Sequence, residues 1–240
     1  MRRLIVLAFC MPAWLFLSYN CSKKISTGSN VTITPPNTDS SGKSFLALGD
    51  SYTIGQSVDI TLRFPAQTAS WLTGNGLRVK TPQYIATTGW TTINLQNAIQ
   101  QADLRNTFDI VSLLIGVNDQ YQHLDTSGYR IRFEQLLQTS IQLAGNQKAH
   151  VFVLSIPDYS VTPFAQGSNT AQISKEIDWF NNINRQITEQ YRCHYLYITQ
   201  LTRAAATDAS LLAPDGLHPS GKEYKIWADS LAPVIKAALQ

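Results

Sequence analysis

Residues 108–119 read Phe-Asp-Ile-Val-Ser-Leu-Leu-Ile-Gly-Val-Asn-Asp. The first eight form an almost unbroken apolar run of strand length, ended by Gly116. Such a run is expected of a central parallel strand covered on both faces, where inward and outward residues are equally apolar. Parallel neighbours need crossover connections, so helical patterns should flank this strand on both sides in the sequence.

They do. Upstream, Thr91 or Thr92 can cap a helix in which Leu95, Ala98, Ile99 and Ala102 recur at helical spacing. Residues 83–86 predict a strand. Pro65 suits the first turn of a helix that reaches Leu72 and closes at Gly74-Asn75-Gly76. Residues 45–48 predict a short buried strand stopped by Gly49. Downstream, Phe133, Leu136, Leu137 and Ile141 mark a helix ended by Gly145-Asn146. Residues 151–155 predict a strand, and Ile173, Ile177, Phe180, Ile183, Ile187 and Tyr191 trace one helical stripe. Residues 195–198 predict a fifth strand. Residues 222–239 predict a closing helix that Pro233 should kink or break.

With right-handed crossovers, this alternation predicts an α/β fold: a three-layer α/β/α sandwich around a five-stranded, mostly parallel, flavodoxin-like sheet. Ligands of such sheets bind beyond the carboxyl ends of the strands. Ser51 follows the first predicted strand, Gly89 the second, Asn118 the third, and Asp215 and His218 the fifth. All should share one rim.

The chain has 240 residues, 44% of them hydrophobic, and five Trp, enough for one sizeable core. Charged residues make up only 15% and the net charge is +3, part of it in Arg2, Arg3, Lys23 and Lys24. No basic stripe with interleaved aromatics is present, which argues against nucleic-acid binding. Arg2-Arg3 precede an apolar stretch at 4–17, too short for a comfortable membrane span but suited to a signal-peptide core. Cys21 and a polar Ser-Lys-Lys follow, a layout that resembles a bacterial lipoprotein signal. The expectation is a signal peptide over 1–21 with Cys21 lipidated, a flexible Ser/Thr/Asn/Pro-rich linker over 22–43, and one domain over 44–240. The protein should be exported, as a cell-envelope lipoprotein or a periplasmic protein. Cys193 is the domain's only cysteine, so no internal disulfide can form there. It reads as a small apolar residue at a helix–strand junction.

Three short segments carry chemistry. Gly49-Asp50-Ser51 is by itself a common turn, but it places a serine at a strand end. It is not the Gly-x-Ser-x-Gly elbow of α/β-hydrolases. Among His123, His150, His194 and His218, only His218 has a carboxylate three residues earlier, in a turn bounded by Pro214 and Pro219. Asp215 can accept the Nδ1 proton and leave Nε2 free to take a proton from Ser51. Asn118, after Gly116, offers a side-chain amide to a developing oxyanion, and Gly89 offers a backbone N–H that a side chain would shield.

At these residues the chain resembles the SGNH (GDSL-type) serine hydrolase superfamily, from about Ser44 to the C-terminus. Gly49-Asp50-Ser51-Tyr52, Thr88-Gly89-Trp90-Thr91, Gly116-Val117-Asn118-Asp119 and Asp215-Gly216-Leu217-His218-Pro219 resemble its four blocks in order. The resemblance implies Ser51, Asp215 and His218 as the catalytic set and Ser51, Gly89 and Asn118 as the oxyanion hole. It also implies ester or thioester hydrolysis without a metal, and no cofactor is expected.

The substrate is read more coarsely. Loops at 119–130 and 157–170 should line the site and bring in Tyr121, Tyr159 and Phe164, while Tyr52 and Trp90 adjoin catalytic positions. Tyr52, Trp90, Tyr121 and Tyr159 are the candidate substrate contacts, suited to sugar rings and acyl chains alike. No lid-length apolar insertion is visible, which favours short acyl groups. The first expectation is hydrolysis of acetyl esters of carbohydrates, a small-molecule or glycan substrate. Lysophospholipase or thioesterase-like acyl hydrolysis comes next. A glycan-binding lipoprotein on a degenerate scaffold would have no need to keep Ser51, Asp215 and His218, and a flavodoxin-like cofactor binder lacks a phosphate-cradling glycine run after its first strand.

Overall fold

A computed structural model describes residues 41–240. The expected signal peptide over 1–21, the expected lipidation of Cys21 and all but residues 41–43 of the expected linker over 22–43 lie outside the described residues; of those three, Lys43 already pairs with Val79. Five strands, β1 (Phe45–Gly49), β2 (Gln83–Ala86), β3 (Ile110–Leu114), β4 (Val151–Leu154) and β5 (His194–Leu196), form one sheet in the order β2-β1-β3-β4-β5. All four neighbouring pairs are parallel. The helices are α1 (Ser51–Ile54), α2 (Phe64–Gly74), α3 (Thr92–Ala102), α4 (Val117–Tyr121), α5 (Thr126–Leu143), α6 (Thr170–Tyr191), α7 (Thr199–Arg203) and α8 (Gly221–Leu239). Helices α2 and α8 pack together as one layer, and α3, α5 and α6 form the other.

The burial of the strands follows from that layering. Every residue of β1, β3 and β4 is buried, as both faces of a sandwich sheet demand, whereas the edge strand β5 is half-buried along its length. Thr91 caps α3 with a full capping box, its Oγ1 taking the Asn94 N–H while Asn94 Oδ1 takes the Thr91 N–H. The α2/α8 layer is anchored by Trp227, fully buried, with Phe64 at 5.9 Å and Tyr224 at 5.1 Å between ring centroids. Its indole N–H donates to Glu223 Oε1 at 2.7 Å, so the polar edge of a large apolar ring is satisfied inside the core. Asp109, at the start of β3, receives Lys43 Nζ at 3.0 Å and Ser44 N–H at 2.8 Å, which ties the entry of the domain to its central strand.

Two expectations change in detail. The fifth strand runs over His194–Leu196 rather than 195–198. Ladder pairing with β4 covers only Phe152 to Leu154, and beyond it the N–H groups of Ile198 and Thr199 turn to Ser155 Oγ at 2.8 and 3.0 Å. A side-chain acceptor thus ends the strand early. Pro233 does not break the closing helix, which continues from Gly221 to Leu239. Proline removes the hydrogen bond to the carbonyl four residues back. Here that residue, Asp229, is exposed, so water can satisfy it, while Leu231, Ala232 and Ile235 bind both sides of the proline to the core.

Candidate active site

In this strand order the chain reverses direction across the sheet between β1 and β3, and parallel sheets bind ligands at that crevice. β1 ends there in Gly49, Gly116 follows the end of β3 by two residues, and neither position has room for a side chain. A Cβ on Gly49 would fall on Thr53 Oγ1 and the Leu114 carbonyl. A Cβ on Gly116 would fall on the Tyr129 hydroxyl, and its φ of +127° is itself unfavourable for other residues. Gly49 thus lets the end of β1 lie close against that of β3, and Gly116 leaves room for the Tyr129 ring.

Asp50 turns the chain from β1 into α1. Its Oδ1 accepts the Tyr52 N–H at 3.0 Å, so Ser51 is the first residue of the helix. An N–H at that position has no acceptor within the helix. Ser51 is buried to 4% exposure but reaches the cleft described below. The Asp50 carboxyl is wholly buried and its Oδ2 has no partner. Burial pushes its pKa up to about 8, opposed by the Tyr52 N–H and assisted by the nearby charge of Asp119.

The Asp215–His218 turn is stapled from within. Ala213 N–H donates to the His218 carbonyl at 2.7 Å, and Leu212 bridges Pro219. Asp215 Oδ1 accepts the N–H groups of Leu217 and His218 at 3.0 and 2.9 Å. Its Oδ2 lies 2.8 Å from His218 Nδ1 and accepts Ser57 Oγ at 2.6 Å. A carboxylate can only accept, so Nδ1 carries the ring proton and Nε2 is left basic. Partial burial alone would raise the Asp215 pKa; the bonds from Ser57, from the His218 amide and ring, and from the Leu217 amide bring it down to about 2. The Tyr52 ring packs on the imidazole at 4.9 Å between centroids. Among the described residues no hydrogen bond joins Ser51 Oγ to His218, although both line the same cleft. Contacts of this kind often tighten only once substrate is bound.

The amide groups come from the neighbouring turns. Asn118, in the first turn of α4, donates one Nδ2 proton to the Trp90 carbonyl at 3.0 Å. This fixes the side chain and leaves its second N–H. Gly89 sits in the turn closed by Trp90 N–H to the Thr87 carbonyl, with φ of +80°. A Cβ there would meet no protein atom within 4 Å, so the positive φ is what demands a glycine on the protein's own side, and the amide borders the open cleft. Asp119 locks the two turns together. It accepts Thr92 N–H and Oγ1 at 2.8 and 2.6 Å, with Arg132 Nη2 at 3.4 Å. Its pKa is raised by burial, against these partners.

Ser51, Gly89, Asn118 and His218 all line one open cleft of about 120 Å³. Its walls are Tyr52, Val117, Leu217 and a three-ring cluster: Tyr121, Tyr159 and Phe164, with centroids 5.9 to 6.2 Å apart. Tyr121 and Phe164 remain about half exposed, at 51% and 47%. Trp90 lies outside the lining; its half-buried ring packs against the core, and only its carbonyl meets the site. Two contacts have no signature in the sequence: Ser57 to Asp215, and Thr88 Oγ1 to Gln56 Oε1 at 2.6 Å. His123, His150 and His194 are not part of the lining. Cys193 is buried between α6 and β5, its thiol pushed up to about 11 by that burial, so it is no ready thiolate. Among the described residues no cluster of three or more His, Cys, Asp or Glu could hold a metal ion.

A parallel α/β/α sandwich with a serine, an imidazole–carboxylate pair and spare amides at its carboxyl rim has the architecture of a carboxylic ester hydrolase. The chain belongs to the GDSL-like lipase/acylhydrolase family, whose model matches residues 47–226. Sequence comparison with curated proteins finds no match. Among solved structures, an acetylxylan esterase from Geobacillus stearothermophilus superimposes with a TM-score of 0.58 at 19% identity, over 81% of this chain and 94% of that one. A catalytic mutant of the same esterase gives 0.64 at 18%, with the same coverage. The protein TesA gives 0.64 at 16%, over 82% of this chain and all of that one. At these identities the likeness establishes the fold.

Proposed function

We propose that the protein hydrolyses short-chain acyl esters of carbohydrates, acetyl esters first, with Ser51 as nucleophile and His218, oriented by Asp215, as general base and acid. The carrying observation is the 2.8 Å contact between Asp215 and His218 Nδ1 at the cleft that Ser51 also lines. His218 Nε2 takes the Ser51 proton as Oγ attacks the carbonyl carbon. The oxyanion is met by the N–H groups of Ser51 and Gly89 and the second Nδ2 proton of Asn118. As the tetrahedral intermediate collapses, the ester C–O bond breaks and the imidazolium gives its proton to the departing alcohol. Water, deprotonated by His218, then attacks the acyl-enzyme, and the acid leaves as Ser51 regains its proton.

Supporting acetyl over long acyl groups, the cleft is small and open, and half-exposed Tyr121 and Phe164 at its mouth offer ring faces to a sugar. The fold likeness to an acetylxylan esterase agrees with this choice. The apolar wall of Val117, Leu217 and Phe164 favours a second reading, hydrolysis of longer acyl esters or thioesters. Comparing p-nitrophenyl acetate with octanoate, and acetylated with unmodified xylo-oligosaccharides, separates the two. The proposal expects kcat/KM to fall with chain length and acetate to be released from the sugar; a rising series would replace it with the second reading. The N-terminal sequence supports export and a lipid tether at Cys21, and no helix of the described residues is long and apolar enough to cross a membrane.

A further inference from the structure

One side chain bonded to the Asp215–His218 pair takes no part in the steps above. Ser57 lies in the segment that leaves α1, and its Oγ donates to Asp215 Oδ2 at 2.6 Å across 158 residues of sequence. That oxygen is the one facing His218 Nδ1. With the two amides on Oδ1, the carboxylate receives four hydrogen bonds, about as many as its lone pairs can take. Ser57 adopts φ of +67°, a left-handed conformation that is unfavourable for a residue with a Cβ. Gly55, two residues earlier, has φ of +62° without that cost. Glycine would be more comfortable at 57 as well; what serine adds is the hydroxyl. An outlier of this kind at the edge of a site invites a functional explanation.

We infer that Ser57 is a positioning residue: its hydroxyl fixes the Asp215 carboxylate and, through it, the tautomer and orientation of the His218 ring. The inference rests on the reading of Asp215 and His218 as the acid–base pair. Among the bonds that hold the Asp215 pKa low, the one from Ser57 is foremost. Next door, Gln56 Oε1 holds Thr88 Oγ1, so consecutive residues of this segment tie the acid turn and the Gly89 turn to the end of α1. The other titratable groups that face Asp215 are the phenols of Tyr52, on α1, and Tyr224, on α8. Burial holds both well above their ordinary range, so they stay neutral where an esterase is assayed. Without the Ser57 hydroxyl, the carboxylate charge is shared less and grips the imidazolium more tightly. The base is then harder to free, and the ring is held by fewer constraints.

The test uses Ser57→Gly and Ser57→Ala, neither of which can donate from position 57. Glycine relaxes the backbone and alanine does not. Rates of p-nitrophenyl acetate hydrolysis and of fluorophosphonate labelling are followed from pH 5 to 9, with Ser51→Ala as control. The inference expects kcat to fall roughly five- to tenfold in both variants, as for loss of one ordinary hydrogen bond acting through Asp215. KM should change little, and the acid limb of the profile should move to higher pH. Should alanine impair folding, glycine decides. A Ser57→Gly protein with wild-type rate and profile, beside an inactive Ser51→Ala, overturns the role of Ser57 and leaves the hydrolase reading standing. Activity and labelling that persist in Ser51→Ala overturn both.

Discussion

The α2/α8 layer and the carboxyl rim of the sheet are built from the same chain by opposite rules. In the layer, side chains repeat at helical spacing, Trp227 is wholly enclosed, and even its N–H has a partner. At the rim, Gly89 and Gly116 have positive φ, as does Ser57, the Asp50 carboxyl is buried with one oxygen unpaired, and the exposed rings of Tyr121 and Phe164 face solvent. The layer is governed by packing, although Thr68 Oγ1, Glu223 Oε2 and the Tyr224 hydroxyl are buried in it without a partner. The rim departs from that pattern where groups must be aimed at something not yet bound, which is where departures from local consistency are expected.

That contrast can be broken from either side. Trp227→Ala should lower unfolding free energy by about 3–5 kcal/mol, since it empties a large buried volume and strands Glu223. Chemical denaturation measures it, and kcat of the protein that remains folded should hardly change. A loss below 1 kcal/mol would mean that the layer is far less closely packed than described. At the rim the pattern reverses. Asn118→Ala should lower kcat by roughly 10²–10³ through one lost oxyanion donor, with a near wild-type Tm. A rise in KM alone would assign Asn118 to substrate binding instead.

The third effect is a pH dependence of stability. Asp50 has a raised pKa in the fold, so folding favours its protonated form. Its stabilising contribution is full below the ordinary carboxylate range and is lost as pH rises toward about 8. Asp50→Asn keeps an acceptor for the Tyr52 N–H but cannot ionise. Its Tm relative to wild type should therefore climb steadily between pH 4 and 8. Parallel Tm curves would show that Asp50 ionises freely.

The legibility of the two regions in the sequence follows the same division. β1, β3 and β4 could be read because strands buried on both faces must be apolar throughout, and α3 because Thr91 and Asn94 form its cap within four residues. β5 was displaced because an edge strand is half-buried and its end is set by Ser155, some 43 residues away. At the rim, the Asp215–His218 pair was legible because it closes within one turn. Gly89 lines the cleft, and its φ of +80° is a demand for glycine that the sequence does not show. Ser57 could not be found, since a loop serine bonded across 158 residues leaves no spacing to detect. Trp90 looked like a substrate contact by adjacency, yet its ring packs against the core.

The account stands on Ser51 being activated by His218 across the cleft. Peptide mapping of the protein after reaction with a fluorophosphonate, beside a His218→Ala variant treated alike, tests this directly. The expected result is one adduct, on Ser51, formed in the native protein and slowed by about 10³-fold or more without the imidazole. An adduct elsewhere, or equal labelling of Ser51 in both proteins, would contradict it.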